Sequence, residues 1–64
     1  MQFRGSIVKK IREEKGHKQY FFADLLGIPQ SRLSKIENDK AVPTLPELIR
    51  ISDFLELQVG DFVG

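Results

Sequence analysis

Cysteine is absent from this 64-residue chain, and histidine occurs once. Without thiols there is neither a disulfide framework nor a thiolate metal site, so packing alone must hold the fold, a usage that suits the cytoplasm. The single histidine, His17, follows Gly16 in a turn and has no second imidazole, cysteine or clustered carboxylate at ligand spacing. It can anchor neither a metal nor a nucleophile–base pair. Glu13 and Glu14 are adjacent, and adjacent helical residues face different directions, so they read as solvated side chains rather than an acid–base pair. A non-enzyme is expected, with no cofactor and no metal.

Long apolar runs are missing as well. No stretch approaches the roughly 18 residues of a membrane span, and the opening MQFRGSIVKK lacks the apolar region of a signal peptide. The chain therefore reads as soluble, with no membrane partner. No repeat, low-complexity tract or linker divides it, so residues 1–64 are expected to form one domain. A chain this short buries only a modest share of its surface and cannot hold both a scaffold and an elaborate active site. A small all-α bundle fits those limits.

Net charge is scarce too, at +1 for ten basic and nine acidic residues, but its distribution is lopsided. Residues 1–40 hold nine Lys/Arg against five Asp/Glu, whereas residues 41–64 hold Arg50 against Glu47, Asp53, Glu56 and Asp61. A basic front and an acidic back suit a protein that turns one face to a polyanion.

Helical periodicity organises what is present. Ile7, Val8 and Ile11 share a stripe on a first helix that starts near Arg4 or Ser6 and runs to Lys15, with Phe3 one turn earlier and Gly16 as its stop. A second helix, about residues 19–26, turns Phe22, Ala23 and Leu26 inward and ends at Gly27, and Ile28 plugs the corner. Pro29 is tolerated only at a helix start, so a third helix begins there or one residue later and continues to about Asn38, with Leu33 and Ile36 inward. Thr44-Leu45-Pro46-Glu47 has the spacing of a capping box and starts a fourth helix that carries Leu45, Leu48, Ile51 and Leu55 to about Glu56. A short fifth helix near residues 59–63 closes the bundle with Phe62.

The sharp bend inside LLGIPQSRLSKIEN has the three-residue, Gly-containing spacing of a helix-turn-helix. The longer stretch GHKQYFFADLLGIPQSRLSKIENDKAVP resembles the helix-turn-helix of phage-repressor and Cro-like regulators, the xenobiotic-response-element class. In that class a Gln opens the second helix, an apolar residue and Ala follow, a Gly makes the turn, and a Glu ends the recognition helix before a loop closed by Pro. Gln19, Phe22-Ala23, Gly27, Glu37 and Pro43 match those elements. The likeness extends over residues 4–63 and implies a compact lambda-repressor-like bundle of about five short helices. Ala23 also has its own physical reason, because a larger side chain would force a close helix crossing open.

Three departures stand out. Lys18 replaces the small hydroxyl residue that usually caps the second helix, forgoing about 1 kcal/mol; a phosphate could occupy that terminus instead. Asp39 replaces the usual Gly after the recognition helix and is one of the few other types that tolerate a left-handed conformation. Tyr20, Phe21 and Leu25 are apolar where the class is normally polar, and Phe21 and Leu25, spaced i, i+4, suggest a surface for a protein partner.

What the resemblance implies is a sequence-specific DNA-binding transcriptional regulator, a repressor that binds double-stranded DNA at a pseudo-palindromic operator as a homodimer. Leu57, Val59, Phe62 and Val63 would supply the contacts between protomers. The resemblance puts Gln30, Ser31 and Lys35 on base-reading positions, with Ser34 beside them, and Gln and Lys have the donor and acceptor groups that adenine and guanine edges require. Lys18, Gln19, Arg32, Asn38 and Lys40 are expected on the DNA backbone, and an ion pair between Arg12 and Glu37 is expected to tie the first helix to the recognition helix. The alternative is a protein-interaction module such as the antitoxin of a toxin–antitoxin pair.

Overall fold

Each α-helix stops where the backbone turns left-handed. The computed structural model describes residues 3–62, with helices α1 (Gly5–Glu14), α2 (Gln19–Leu26), α3 (Gln30–Glu37) and α4 (Leu45–Leu55), then a 3-10 turn at Val59–Phe62. The positive-φ residues are Gly16 (80°), Gly27 (72°), Asp39 (60°) and Glu56 (59°), one after each α-helix. At all four ends the next residue's N–H reaches back to the sixth residue's carbonyl: His17 to Arg12, Ile28 to Ala23, Lys40 to Lys35 and Leu57 to Ser52, at 2.8 to 3.1 Å. This is the Schellman ending, which satisfies carbonyls that a terminated helix would otherwise orphan. Gly27 takes that conformation without a Cβ penalty, while Asp39 and Glu56 hold it at a steric cost.

Helix starts follow no such common rule. Only α4 has a local side-chain cap: the Glu47 N–H donates to Thr44 Oγ1 at 3.3 Å and the Thr44 N–H to Glu47 Oε1 at 2.7 Å. Arg4, Lys18 and Pro29, ahead of α1, α2 and α3, provide no side-chain cap. For α1 the acceptor comes from across the chain, because the Gly5 N–H donates to Asp39 Oδ1 at 2.8 Å. The left-handed turn at Asp39 thus ends one helix and delivers a carboxylate to the positive start of another.

Val8, Phe22, Ala23, Leu26, Leu33, Ile51 and Leu55 form the buried core, and Phe3, Ile7, Ile11, Ile28, Leu48 and Leu57 pack around it. Ile36 is buried as well. Leu45 departs from expectation, being 65% exposed. At about 100° per residue, two successive steps of three leave Leu45 roughly 120° away from Ile51, off the buried stripe. Helix α3 begins one residue after Pro29, which is its N-cap, as one of the two expected starts had it. The closing turn forms as expected, but the side chains of Val59 and Phe62, and the whole of Val63, lie outside the described residues.

Where α1 meets the end of α3, the two backbones touch. A Cβ on Gly5 would collide with the carbonyl oxygen of Ile36 and approach the Glu37 backbone to 3.0 Å. Helix propensity alone favours Ala over Gly by about 1 kcal/mol, whereas overpacking costs about 1–3 kcal/mol. Here the obstacle is rigid backbone. Gly5→Ala is therefore expected to lie toward the costly end of that range and to lower stability by a net of about 1–2 kcal/mol in a urea titration, and an unchanged or raised midpoint would show that α1 can slide away.

Candidate nucleic-acid interface

Helix α3 buries Leu33, Ile36 and Glu37 and leaves the opposite side to solvent. Gln30, Ser31 and Lys35 are exposed and Ser34 is half-buried, so these four share one outward arc of about two turns. Lys18 is exposed just ahead of α2, and Asn38 and Lys40 are exposed just past α3. The Asn38 amide Nδ2 folds back to donate to the Ser34 carbonyl at 2.8 Å and to Ser34 Oγ at 3.4 Å. The Lys40 N–H closes on the Lys35 carbonyl at 2.8 Å, which fixes the chain leaving α3.

Behind this arc runs a chain of hydrogen bonds into the interior. Gln30 Nε2 donates to Gln19 Oε1 at 3.1 Å, and Gln19 Nε2 donates to Glu37 Oε1 at 3.0 Å. Glu37 also receives Arg12 Nε at 2.7 Å and Arg12 Nη2 at 3.2 Å, while Arg12 Nη1 donates to the His17 carbonyl at 2.7 Å. The expected ion pair is thus present, and it is buried, with side-chain exposures of 6% and 1%. Among the described residues no buried side-chain polar atom lacks a partner. Gln19, assigned to the DNA backbone from sequence, uses its carbonyl and one N–H within the protein. One N–H remains available.

Arg32, expected on the DNA backbone, makes an ion pair within the fold that the sequence did not signal. It lies on the flank of α3 that faces α4, and its Nε and Nη2 donate to Glu47 Oε2 and Oε1, both at 2.7 Å. This forked pair draws Arg32 toward α4 and away from the outward arc. The physical reason is helical phase, since Arg32 is rotated by about 100° from both Ser31 and Leu33. Glu47, already the capping-box partner of Thr44, holds both interactions at once. The Arg32 hydrogen bonds, helped by the Thr44 N–H, hold its carboxyl at about 2 against the opposing effect of burial. Sequence reasoning had marked Glu47 as a cap but carried no signal for its second partner. It also missed Arg50, whose Nη1 donates to the Leu26 carbonyl at 3.1 Å and closes the end of α2.

The His17 ring packs as an aromatic, stacked on Phe22 and tilted against Phe21, with both centroids 5.9 Å away. Among the described residues no group of His, Cys, Asp and Glu could hold a metal. No helix there is long and apolar enough to cross a membrane. Phe21 and Leu25 are 47% and 38% exposed.

A helix-turn-helix family model matches residues 8–62. The chain belongs to the helix-turn-helix family. Its phage-repressor-like character extends to named relatives. It is 41% identical over 51 residues to the SPbeta prophage-derived HTH-type transcriptional regulator YonR of Bacillus subtilis, covering 80% of this chain and 47% of YonR. It is 36% identical over 56 residues to the ImmF control region 10 kDa protein of Bacillus phage phi105, covering 88% of this chain and 62% of that protein. The chain therefore spans about half to three-fifths of these relatives. Among solved structures, SinR of Bacillus subtilis, a master regulator for biofilm formation crystallised in complex with DNA, matches with 32% identity and a TM-score of 0.79, over 88% of this chain and 90% of that one. In this helix-turn-helix, Gly27, Ile28 and Pro29 join α2 to α3.

Two outcomes follow from the charged pairs. Arg12→Met leaves the Glu37 carboxylate buried without its cation and is expected to cost about 3–5 kcal/mol, comparable to the whole stability of a domain this size. Circular dichroism through a urea titration reads the loss, and a change under about 1 kcal/mol would show the pair to be dispensable. Glu47 has a folded pKa below its ordinary 4.5, so its contribution is complete above that value and disappears as pH falls toward about 2. Over that window Glu47→Gln should lose less stability than the parent chain; parallel acid titrations would contradict this.

Proposed function

We propose that this domain is a non-enzymatic, sequence-specific DNA-binding regulator of the cytoplasm. It acts as a repressor on a pseudo-palindromic operator that it binds as a homodimer. The observation that carries the reading is the amide of Gln30. Because Gln30 is exposed and its Nε2 uses one N–H on Gln19, its amide keeps the other N–H and its carbonyl oxygen available, a donor and an acceptor of the kind that N7 and N6 of adenine require. Lys35 can donate to the acceptors of guanine, and Ser31 and Ser34 to either base.

Phosphates suit the surrounding positions. The start of α2 has no side-chain cap, so its free N–H groups, with Lys18 and the remaining N–H of Gln19, form an anion site beside Gln30. Asn38 and Lys40 flank the other end of α3. The DNA complex of SinR supports the same use of this fold. One such helix reads only a few base pairs, so specificity calls for two half-sites about 34 Å apart. We assign the protomer contacts to the C-terminal third from the apolar residues that the sequence carries there, Leu57, Val59, Phe62 and Val63.

A second reading, a protein-interaction module such as an antitoxin, draws on the exposure of Phe21 and Leu25. Titrations against a selected site and a random duplex at several salt concentrations separate the two. Gln30→Ala or Lys35→Ala should weaken the selected site by about 1–3 kcal/mol and random duplex much less, whereas Lys40→Ala should weaken both alike and flatten the salt dependence. If the specific-to-random ratio is unmoved by Gln30→Ala and Lys35→Ala, and a second half-site adds no affinity, the protein-partner reading replaces this one.

A further inference from the structure

Arg32 stands out among the cations around α3. Among the described residues Lys18, Lys35 and Lys40 make no ion pair, whereas Arg32 is clamped by both oxygens of Glu47. Its side chain remains 35% exposed while that of Glu47 is 13% exposed, so the guanidinium sits at the rim of the helix and its partner sits beneath it. Glu47 cannot swing away freely, because the same carboxylate accepts the Thr44 N–H at 2.7 Å and completes the cap of α4. A fixed, half-buried carboxylate that matches the planar fork of arginine is a strong competitor for it.

We propose that Glu47 is a specificity-determining residue, which withholds Arg32 from DNA phosphates and thereby limits binding to random sequence. The inference rests on the reading that α3 faces DNA. For Arg32 to reach a phosphate it must exchange one forked, charge-assisted contact for another and leave the half-buried Glu47 without its cation, so the exchange gains little. An arginine held in this way displaces no counterion from the duplex and adds nothing to the salt dependence of binding. Affinity for any sequence is kept down by one phosphate contact, while the base-reading groups on the outward arc are untouched. Their share of the total is correspondingly larger.

Glu47→Gln tests this, since glutamine keeps an oxygen for the Thr44 N–H but loses the charge that holds the guanidinium. Binding to a selected site and to random duplex is measured against salt for the parent chain, Glu47→Gln, Arg32→Ala and the double variant, with thermal melts as the control for folding. Glu47→Gln is expected to raise random-duplex affinity several-fold at low salt, to steepen the log–log salt slope by about 0.9, and to lower the specific-to-random ratio. Arg32→Ala alone leaves the slope unchanged, and the double variant loses the gain. Three results overturn the proposal: an unchanged slope in a folded Glu47→Gln chain, a flattened slope in Arg32→Ala, or a gain that persists in the double variant and so belongs to net charge. Arg32→Ala does not touch the α4 cap, so its slope decides the matter even if Glu47→Gln unfolds. Measured alongside, Gln30→Ala and Lys35→Ala separate the causes: if they relax specificity while Glu47→Gln changes nothing, only this inference fails, and if they too are silent, the placement of α3 on DNA fails with it.

Discussion

Glu37 carries a full negative charge into the place where α1, α2 and α3 converge, and its neighbours are arranged to receive it. Taking two ions out of water costs several kcal/mol each, so a pair here is weak as a source of stability. Its value lies in geometry. Arg12 supplies two donors and Gln19 a third, and the remaining Arg12 nitrogen, Nη1, donates to the His17 carbonyl. Each bond has a preferred length and direction, which an apolar contact lacks, so the relative placement of the three helices is set by the carboxylate. Gln30, at the surface, inherits that placement through Gln19. An apolar substitute at position 37 could fill the space but would leave both glutamine amides free to rotate.

Helices of 8 to 11 residues are too short to persist alone in water, so their ends must be completed by something. The carbonyl ends close locally, through the four left-handed residues. The amide ends mostly do not. Asp39 reaches α1 from the far end of α3, and Arg50 adds a donor to the α2 carbonyl end from α4. These long-range bonds form only when the bundle is assembled, which couples the stability of each short helix to the presence of the others. The close approach at Gly5 belongs to the same arrangement. Were α1 held further from α3 by a side chain, the Asp39 carboxylate would fall short of its N–H.

Most of the architecture was legible in the sequence because it depends on neighbours in the chain. Gly16 and Gly27 as stops, Pro29 at a helix start, and Thr44 with Glu47 as a capping box are local statements, and periodicity placed Val8, Phe22, Leu33 and Ile36 inside. What stayed hidden depends on where distant residues meet. Nothing in the residues around Gly5 signals that a backbone will press on it, and nothing near Arg32 names Glu47 as its partner. Leu45 misled because a spacing of threes imitates a helical stripe over one turn and drifts off it over two. The outward arc of α3 could be named in advance, since burial of Leu33 and Ile36 fixes the phase of the helix. The chain behind it, from Gln30 through Gln19 to Glu37, needed three helices in position at once.

The same distinction changes the meaning of the basic front half. Counted along the chain, its Lys and Arg residues look like one electrostatic footprint. In the folded molecule Arg12 and Arg32 are bound to carboxylates, and Arg50, from the other half, to a backbone carbonyl. The planar, multi-donor guanidinium suits it to these directional, partly buried roles, whereas the ammonium of lysine is strongly hydrated and stays at the surface. Lys18, Lys35 and Lys40 are the cations that remain exposed around α3. On the proposed DNA face, then, arginine orients the scaffold and lysine meets the polyanion. A count of basic residues along the chain does not show which of them carboxylates already hold, as they do Arg12, Lys15 and Arg32.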